Sequence, residues 1–428
     1  MIQRLLNFLD VSPVNFLAVK NIAAELAEAG YRRVDPREPI GSAKAGEKFF
    51  VTKNDSSVYA FQIGRKPLSE AGFHLICAHC DSPTFRIKPN AEMRCEGGIV
   101  KLNTEVYGGP IMSTWFDRPL TLAGRVVVRG SSVMSPETLL LHVRRPLLQI
   151  SNLAIHFNRQ VNDGVKLSKQ KDMLPILGIV NDELEHDGML LSLISTELNV
   201  AREDILDFDL YLADAMPACT FGVHDEFLSS GRLDDLSMCF AGLEALLRSD
   251  ESDATKVLAI FDNEETGSQT KQGAGSPFLA SILQRIATVQ DGNTEAFWQA
   301  VERSFMISAD NAHAWHPNYG EKYDPTNHPK LGKGPVIKFN AAQKYASDAV
   351  SAAVFSEICR SVDVPCQRFV NHSDVAGGST LGNILASSLP LRGVDMGNAI
   401  LAMHSCRETG STLDHLYCVK AFTRFFSL

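Results

Sequence analysis

The sequence predicts an α/β protein: a mixed, largely parallel sheet flanked by helices, interrupted by an inserted, mainly-β second domain. Three observations carry this. From Gly231 onward, short apolar runs of strand length alternate with helical patterns, which implies parallel strands covered by helices on both faces. Near the N-terminus, 73–78 (Phe-His-Leu-Ile-Cys-Ala) has the pattern of a buried strand belonging to the same kind of sheet. Between about 91 and 227 the alternation stops, and Gly97-Gly98, Gly108-Gly109-Pro110 and Asn162-Asp163-Gly164 punctuate the chain instead. We therefore assign 1–90 and 228–428 to one domain and 91–227 to the insertion.

Each element has a local reason. Residues 1–10 read as a short amphipathic helix, and 15–29 as a helix with Phe16, Val19, Ile22, Ala23 and Leu26 on one side. Ser12 is the candidate N-cap of that second helix and Gly30 its stop. Strands are expected at 48–53 and 58–64, split by the turn residues Asn54-Asp55-Ser56-Ser57. In the insertion, 125–129 and 153–157 read as strands and 189–198 as a helix. After it come a helix over 234–247 and strands over 257–262, 304–307 and 335–339. A helix follows over 346–362, with Ala349, Val350, Ala353 and Ile358 as inward candidates. A strand at 367–370, a Gly-started helix at 378–386, an apolar run at 399–403 and a helix over 411–426 close the chain.

The chain has 428 residues, with 45% hydrophobic and 21% charged residues, ordinary values for a globular protein with ample core. A net charge of −9 argues against nucleic acid and anionic membranes as partners. No apolar run reaches the roughly 18 residues that a membrane span needs. Nine cysteines, scattered and without an export signal, point to a reducing cytoplasm and free thiols.

The chemistry concentrates where apolar runs end. The strand 257–262 runs into Asn263-Glu264-Glu265-Thr266-Gly267. Two adjacent carboxylates raise each other's pKa, and a cation resolves that conflict: one glutamate binds metal and the other stays free as a general base. The other reading is a solvated acidic turn. Five candidate ligands stand at or just past such runs or in a Gly-led turn: His79, Asp234, Glu265, Asp310 and His404. Nitrogen and oxygen donors without thiolate suit zinc, manganese or cobalt. Five are too many for one tetrahedral zinc and right for two divalent ions sharing a carboxylate, with Glu264 left as base. Asp81, two residues beyond His79, is placed to receive the second imidazole N–H. Each residue also has a plain structural use: a satisfied histidine at His79, a helix N-cap at Asp234-Asp235, a turn cap at Asp310, a buried polar group at His404. The Cys77-x-x-Cys80 spacing admits a redox or a zinc reading; the apolar surroundings of Cys77 oppose the first, and the lack of a second C-x-x-C opposes a structural zinc site. An oxidant-sensitive Cys80 beside His79 is left open.

The quoted motifs resemble a known family. His79-Cys80-Asp81-Ser82-Pro83, Ser230-Gly231-Arg232-Leu233-Asp234-Asp235-Leu236, Asp262-Asn263-Glu264-Glu265-Thr266-Gly267-Ser268, Ser308-Ala309-Asp310-Asn311-Ala312-His313 and Ala402-Met403-His404-Ser405-Cys406-Arg407-Glu408 look like the aspartyl aminopeptidases, dizinc exopeptidases, in the same order and over essentially the whole chain. Two departures are visible: Asp235 where Asn is more usual, and Ala376-Gly377 where Pro-Cys is more usual.

The resemblance implies that Asp234 bridges two metal ions, with Glu265 and His404 on one and His79 and Asp310 on the other, Glu264 as general base and Asp81 as orienter. It implies that the insertion is a lid used in assembly, in homo-oligomers that are often dodecamers. It also implies that a histidine of a neighbouring subunit's insertion, His156 in this sequence, donates to the developing oxyanion. Peptides with N-terminal Asp or Glu become the expected substrates, hydrolysed by a dimetal-activated hydroxide. Lys338, on an otherwise apolar strand, is the expected partner of the substrate carboxylate, and Tyr345 a further residue near the reacting centre. The alternatives are a dimetal exopeptidase or deacylase with another substrate preference, and a catalytically silent scaffold. The second is opposed by the presence of all five ligands and the base.

Overall fold

The computed structural model describes residues 1–180 and 188–428. It forms two compact units. The first comprises Met1–Asp81, Ala218–Met403 and Glu408–Leu428, the second Ser82–Pro217 and His404–Arg407. The sequence reading set the borders at 90/91 and 227/228. The difference has a hydrogen-bonding cause. Thr84–Arg94 pairs with Ile99–Tyr107 and Ile205–Asp214 in the second unit's sheet, so a border at 90 would cut a strand. Cys219–Phe221 pairs with Phe227–Ser230, which in turn pairs with Glu408–Ser411 of the first unit. The short segment His404–Arg407 counts with the second unit for equally local reasons. The Ile111 N–H donates to the His404 carbonyl at 2.9 Å, the Thr114 hydroxyl accepts from the Cys406 N–H at 2.8 Å, and the Arg407 guanidinium meets the Asp214 carboxylate at 3.1 Å.

In the first unit a nine-stranded sheet runs in the order Arg32–Arg33, Lys48–Lys53, Ser57–Gln62, Thr255–Phe261, Phe73–His79, Phe305–Ala309, Arg392–Gly397, Val336–Phe339, Gln367–Val370. The centre is parallel: Thr255–Phe261, Phe73–His79, Phe305–Ala309 and Arg392–Gly397 run side by side in one direction. Alternation along these strands feeds two cores. Ile76, Ala78, Leu258 and Ile260 face the layer of helices Ile2–Val11, Asn15–Glu28, Leu233–Arg248, Ala349–Arg360 and Thr412–Phe426. Leu75, Cys77, Val257 and Ala259 face the opposite layer, built from Phe278–Asp291, Thr294–Arg303 and Leu381–Ser388.

Three local readings need correction. Ser12 caps the C-terminus of the first helix rather than opening the second, whose N-cap is Val14; the Ser12 hydroxyl instead accepts from the Asn21 amide at 3.0 Å. In the helix Ala349–Arg360, started by a reciprocal Asp348–Ser351 capping box, the inward face is Ser351, Ala352, Phe355, Ile358 and Cys359. Ala349, Val350 and Ala353 point outward, and Val350 is 63% exposed. The Gly-started helix begins later, at Leu381, with Thr380 as N-cap.

The second unit is a six-stranded antiparallel sheet in the order Ser135–His142, Leu120–Ser132, Ile205–Asp214, Thr84–Arg94, Ile99–Tyr107, Ile176–Ile179. The helix Met189–Leu198 buries Leu190 and Ile194 in its core beside Phe85, Leu102 and Val126. The segment 153–157 is not a strand. It carries a single 3-10 turn, Ile155–Phe157, and its apolar side chains are exposed, Phe157 by 80%. Apolar content alone suggested a strand there, but the segment has no strand partner to pair with among the described residues.

Candidate metal centre

Parallel packing brings strand ends together. His79 ends its strand directly opposite Phe261, and the next residues of that neighbour lead to Glu264 and Glu265. On the other flank Ser308 pairs with Cys77, and the chain turns at Asp310 just beyond. Three adjacent carboxyl ends thus deliver His79, the Glu264-Glu265 pair and Asp310 to one edge of the sheet, where open α/β sheets keep their sites. Asp234 arrives from the first turn of the helix Leu233–Arg248, whose start bends through Arg232 at φ 62°.

The ligand atoms of His79, Asp234 and Glu265 lie within 4.8 Å of one another. The nearest His79 Nε2 to Asp234 Oδ1 approach is 3.7 Å. This donor set fits a divalent ion, since one imidazole and two carboxylates are zinc-type ligands. The surrounding field fits as well. His79 is 1% exposed. Burial opposes its charging, yet Asp81, Asp235 and Glu264 outweigh burial and lift its pKa well above the usual value. Glu264 is pushed up to about 9, first by burial and then by Asp310, Glu265 and Asp81, against the opposing pull of His79. Such crowding of negative charge favours any cation.

The scaffold around these residues is hydrogen-bonded to the backbone. The Asp81 carboxylate accepts the N–H of Glu264 at 3.0 Å and of Glu265 at 3.1 Å, so one side chain fixes the turn bearing both glutamates. The same residue holds the imidazole: His79 Nδ1 lies 3.1 Å from the Asp81 carbonyl and 3.4 Å from its Oδ1.

Three further residues take part to which sequence reasoning gave no role in the site. Asp235, fully buried, accepts the His79 N–H at 3.2 Å and the Asn311 side-chain amide at 3.3 Å. Asn311 also donates to the Leu233 carbonyl at 2.7 Å. Glu408, buried, accepts the Asp234 N–H at 3.0 Å. Their signal was present in the motifs Asp234-Asp235, Asp310-Asn311 and Arg407-Glu408, but a helix N-cap use for Asp235 masked it.

The remaining expected residues fall as follows. Asp310 is in the first unit; its charge acts on Glu264 and Asp235, and its carboxylate is 3.1 Å from the Lys338 ammonium. Lys338 neither reaches to the surface nor stands free: it is 2% exposed and donates to the Asp310 and Asn311 carbonyls at 2.7 and 3.2 Å. Its ammonium lies 5.3 Å from the buried Tyr345 ring. His404 belongs to the second unit, with Nδ1 3.1 Å from the Gly109 carbonyl and φ 69°. His156 lies on the exposed 3-10 turn of the same unit. Cys80 is buried, donates to the Ser56 and Phe261 carbonyls at 3.1 and 3.3 Å, and has its thiol pushed well up by burial, which opposes oxidation there.

An imidazole and two carboxylates that converge at the carboxyl ends of parallel strands, with Glu264 next in the chain to Glu265, are a donor set of the kind that α/β metallohydrolases use. The family follows from comparison: residues 8–426 match the aminopeptidase I zinc metalloproteases (M18), and the chain belongs to that family, as a zinc metalloaminopeptidase. It is 52% identical over 426 residues to a probable M18 family aminopeptidase 2 of Clostridium acetobutylicum, covering 100% of this chain and 98% of that one. A relative of the same description from Clostridium novyi is 50% identical over 424 residues, covering 99% and 98%. Among solved structures, Ape4 in complex with Nbr1 superposes with a TM-score of 0.95 at 37% identity, covering 99% of this chain and 85% of that one. The Saccharomyces mApe1 dodecamer gives 0.85 at 25%, covering 99% and 95%. Among the described residues no helix is long and apolar enough to cross a membrane.

Proposed function

We propose that this aminopeptidase removes N-terminal Asp and Glu from peptides, using two divalent ions and Glu264 as general base. The observation that carries the reading is the convergence of His79, Asp234 and Glu265 within 4.8 Å, with Glu264 next in the chain to one of them. By resemblance, Asp310 and His404 would join His79, Asp234 and Glu265 in holding the ions. Bound ions would polarise the peptide carbonyl, acidify a water and offset the carboxylate charge that holds Glu264 high.

The chain's own residues do the rest. Glu264 takes the proton of the attacking water and returns it to the leaving amine. Asp81 holds Glu264 and Glu265 in register through two backbone N–H groups and sets the His79 ring. Lys338, beside Tyr345, supplies the positive charge that selects an acidic N-terminal residue. The protein acts as a cytoplasmic homo-oligomer, in which the inserted domain is a lid and His156 of a neighbouring copy donates to the oxyanion. The relatedness to an mApe1 that forms a dodecamer supports the assembly, as does the exposed apolar segment around His156.

The test is hydrolysis of dipeptide-like amides differing only in the N-terminal residue, before and after chelation, with zinc or manganese restored. Metal-dependent release of Asp and Glu with Leu and Ala ignored is the expected result. Metal-dependent release of neutral residues would retain the centre and discard Lys338 as selector.

A further inference from the structure

We infer that Lys338 sets the affinity of the Asp310 side of the centre, weakening the hold on its ion by sharing the Asp310 carboxylate. The inference rests on the reading of Asp310 as a metal ligand. An ammonium has three N–H donors. In Lys338 they meet three oxygens: the Asp310 carbonyl at 2.7 Å, Asp310 Oδ1 at 3.1 Å and the Asn311 carbonyl at 3.2 Å. The donor set is full, and the side chain is walled in by the Tyr345 ring at 5.3 Å. Lys338 is therefore already the counter-cation of Asp310.

Two effects of opposite sign follow for an ion on the same carboxylate. By fixing the carboxylate's direction Lys338 favours binding, and losing such an orienting partner typically weakens a metal site by roughly 10–100-fold. By placing a buried positive charge one carboxylate away from a divalent cation it opposes binding. That like-charge term is on the order of 10³-fold even at an effective dielectric constant of about 20. Repulsion wins, so this side of the centre is the weaker one, and a neutral residue at 338 strengthens it. The same geometry couples metal to substrate. Lys338 gains a donor for an acidic substrate only when Asp310 gives one up, and an ion drawing on Asp310 promotes that exchange. By reciprocity an acidic ligand then tightens the ion.

The experiment is zinc titration of the metal-depleted full chain against a chromophoric chelator, for wild type, Lys338→Met, Lys338→Arg and Asp310→Asn. The expected result is that the weaker ion binds at least tenfold tighter in Lys338→Met, stays within about threefold of wild type in Lys338→Arg, and is lost in Asp310→Asn. If Lys338→Met does not fold by circular dichroism, Lys338→Gln makes the same comparison. Wild-type or weaker zinc affinity in the neutral variant, with the ion still lost in Asp310→Asn, overturns the inference alone. Unchanged zinc binding in Asp310→Asn overturns the ligand reading and the inference with it.

Discussion

Two histidines of the first unit, each 1% exposed, experience opposite environments. His79, at the carboxyl end of the parallel strands, has its pKa raised well above normal because Asp81, Asp235 and Glu264 outweigh the cost of burial. His415, in the closing helix Thr412–Phe426, is pushed down to about 4 by burial and by the N-terminal ammonium, and it stacks near the Phe240 ring at 6.0 Å. Equal burial thus gives opposite chemistry. The strand edge is an electrostatic trap in which a metal can replace a proton; the helical layer is an apolar interior that happens to contain an imidazole. A site is defined here by the carboxylates the sheet gathers around a residue, and not by depth.

The largest expected effect comes from removing the base while leaving the trap. Glu264→Gln should lower kcat by roughly 10³-fold. Zinc stoichiometry by elemental analysis should stay unchanged, since Glu264 is outside the cluster of ligands. Full turnover with full metal content would end its assignment as base and would leave the charge around His79 without a catalytic use.

Loosening the trap should cost less. Asp81→Ala removes the acceptor of two backbone N–H groups and the carboxylate beside His79 Nδ1. Metal affinity should fall by roughly 10–100-fold, read by chelator competition. Activity at saturating zinc should recover only in part, because the Glu264 turn has lost its anchor. Complete recovery would mean that Asp81 serves the metal alone.

Much of this arrangement was legible in the sequence. Short apolar runs of strand length marked the strands, and His79, Glu264-Glu265 and Asp310 stood just where those runs stopped, so their chemistry was readable before their meeting was. What escaped depends on distant backbone. Asp235 reads as a helix N-cap, yet its acceptors serve the N–H of His79, 156 residues away in the chain, and the Asn311 amide. Glu408 accepts from Asp234 only because the strand Glu408–Ser411 pairs with Phe227–Ser230. The 153–157 segment misled in the other direction. Its apolar residues suggested a buried strand, whereas Leu153, Ile155 and Phe157 are exposed. Local pattern reports that a segment is apolar; it does not say whether the same chain will cover it.

The smallest effect isolates the second half of the comparison. His415 has a folded pKa of about 4, below the roughly 6.5 of an unfolded imidazole. The unfolded chain therefore binds the proton first. The stability at stake is fully present above pH 6.5 and is lost as pH falls toward 4. His415→Phe, which keeps an aromatic ring against Phe240, removes that linkage. Comparing urea unfolding of the two proteins cancels the opposing contribution of Asp414, whose carboxyl is pushed up to about 6 by burial against its bonds to Gly334 and Gly332. The difference in stability between variant and wild type should move by roughly 2–3 kcal/mol in the variant's favour between pH 7 and pH 4.5. Parallel stability curves would mean that His415 is charged in the folded state. The contrast with His79 would then be one of degree, and the apolar layer would have to supply a counter-charge.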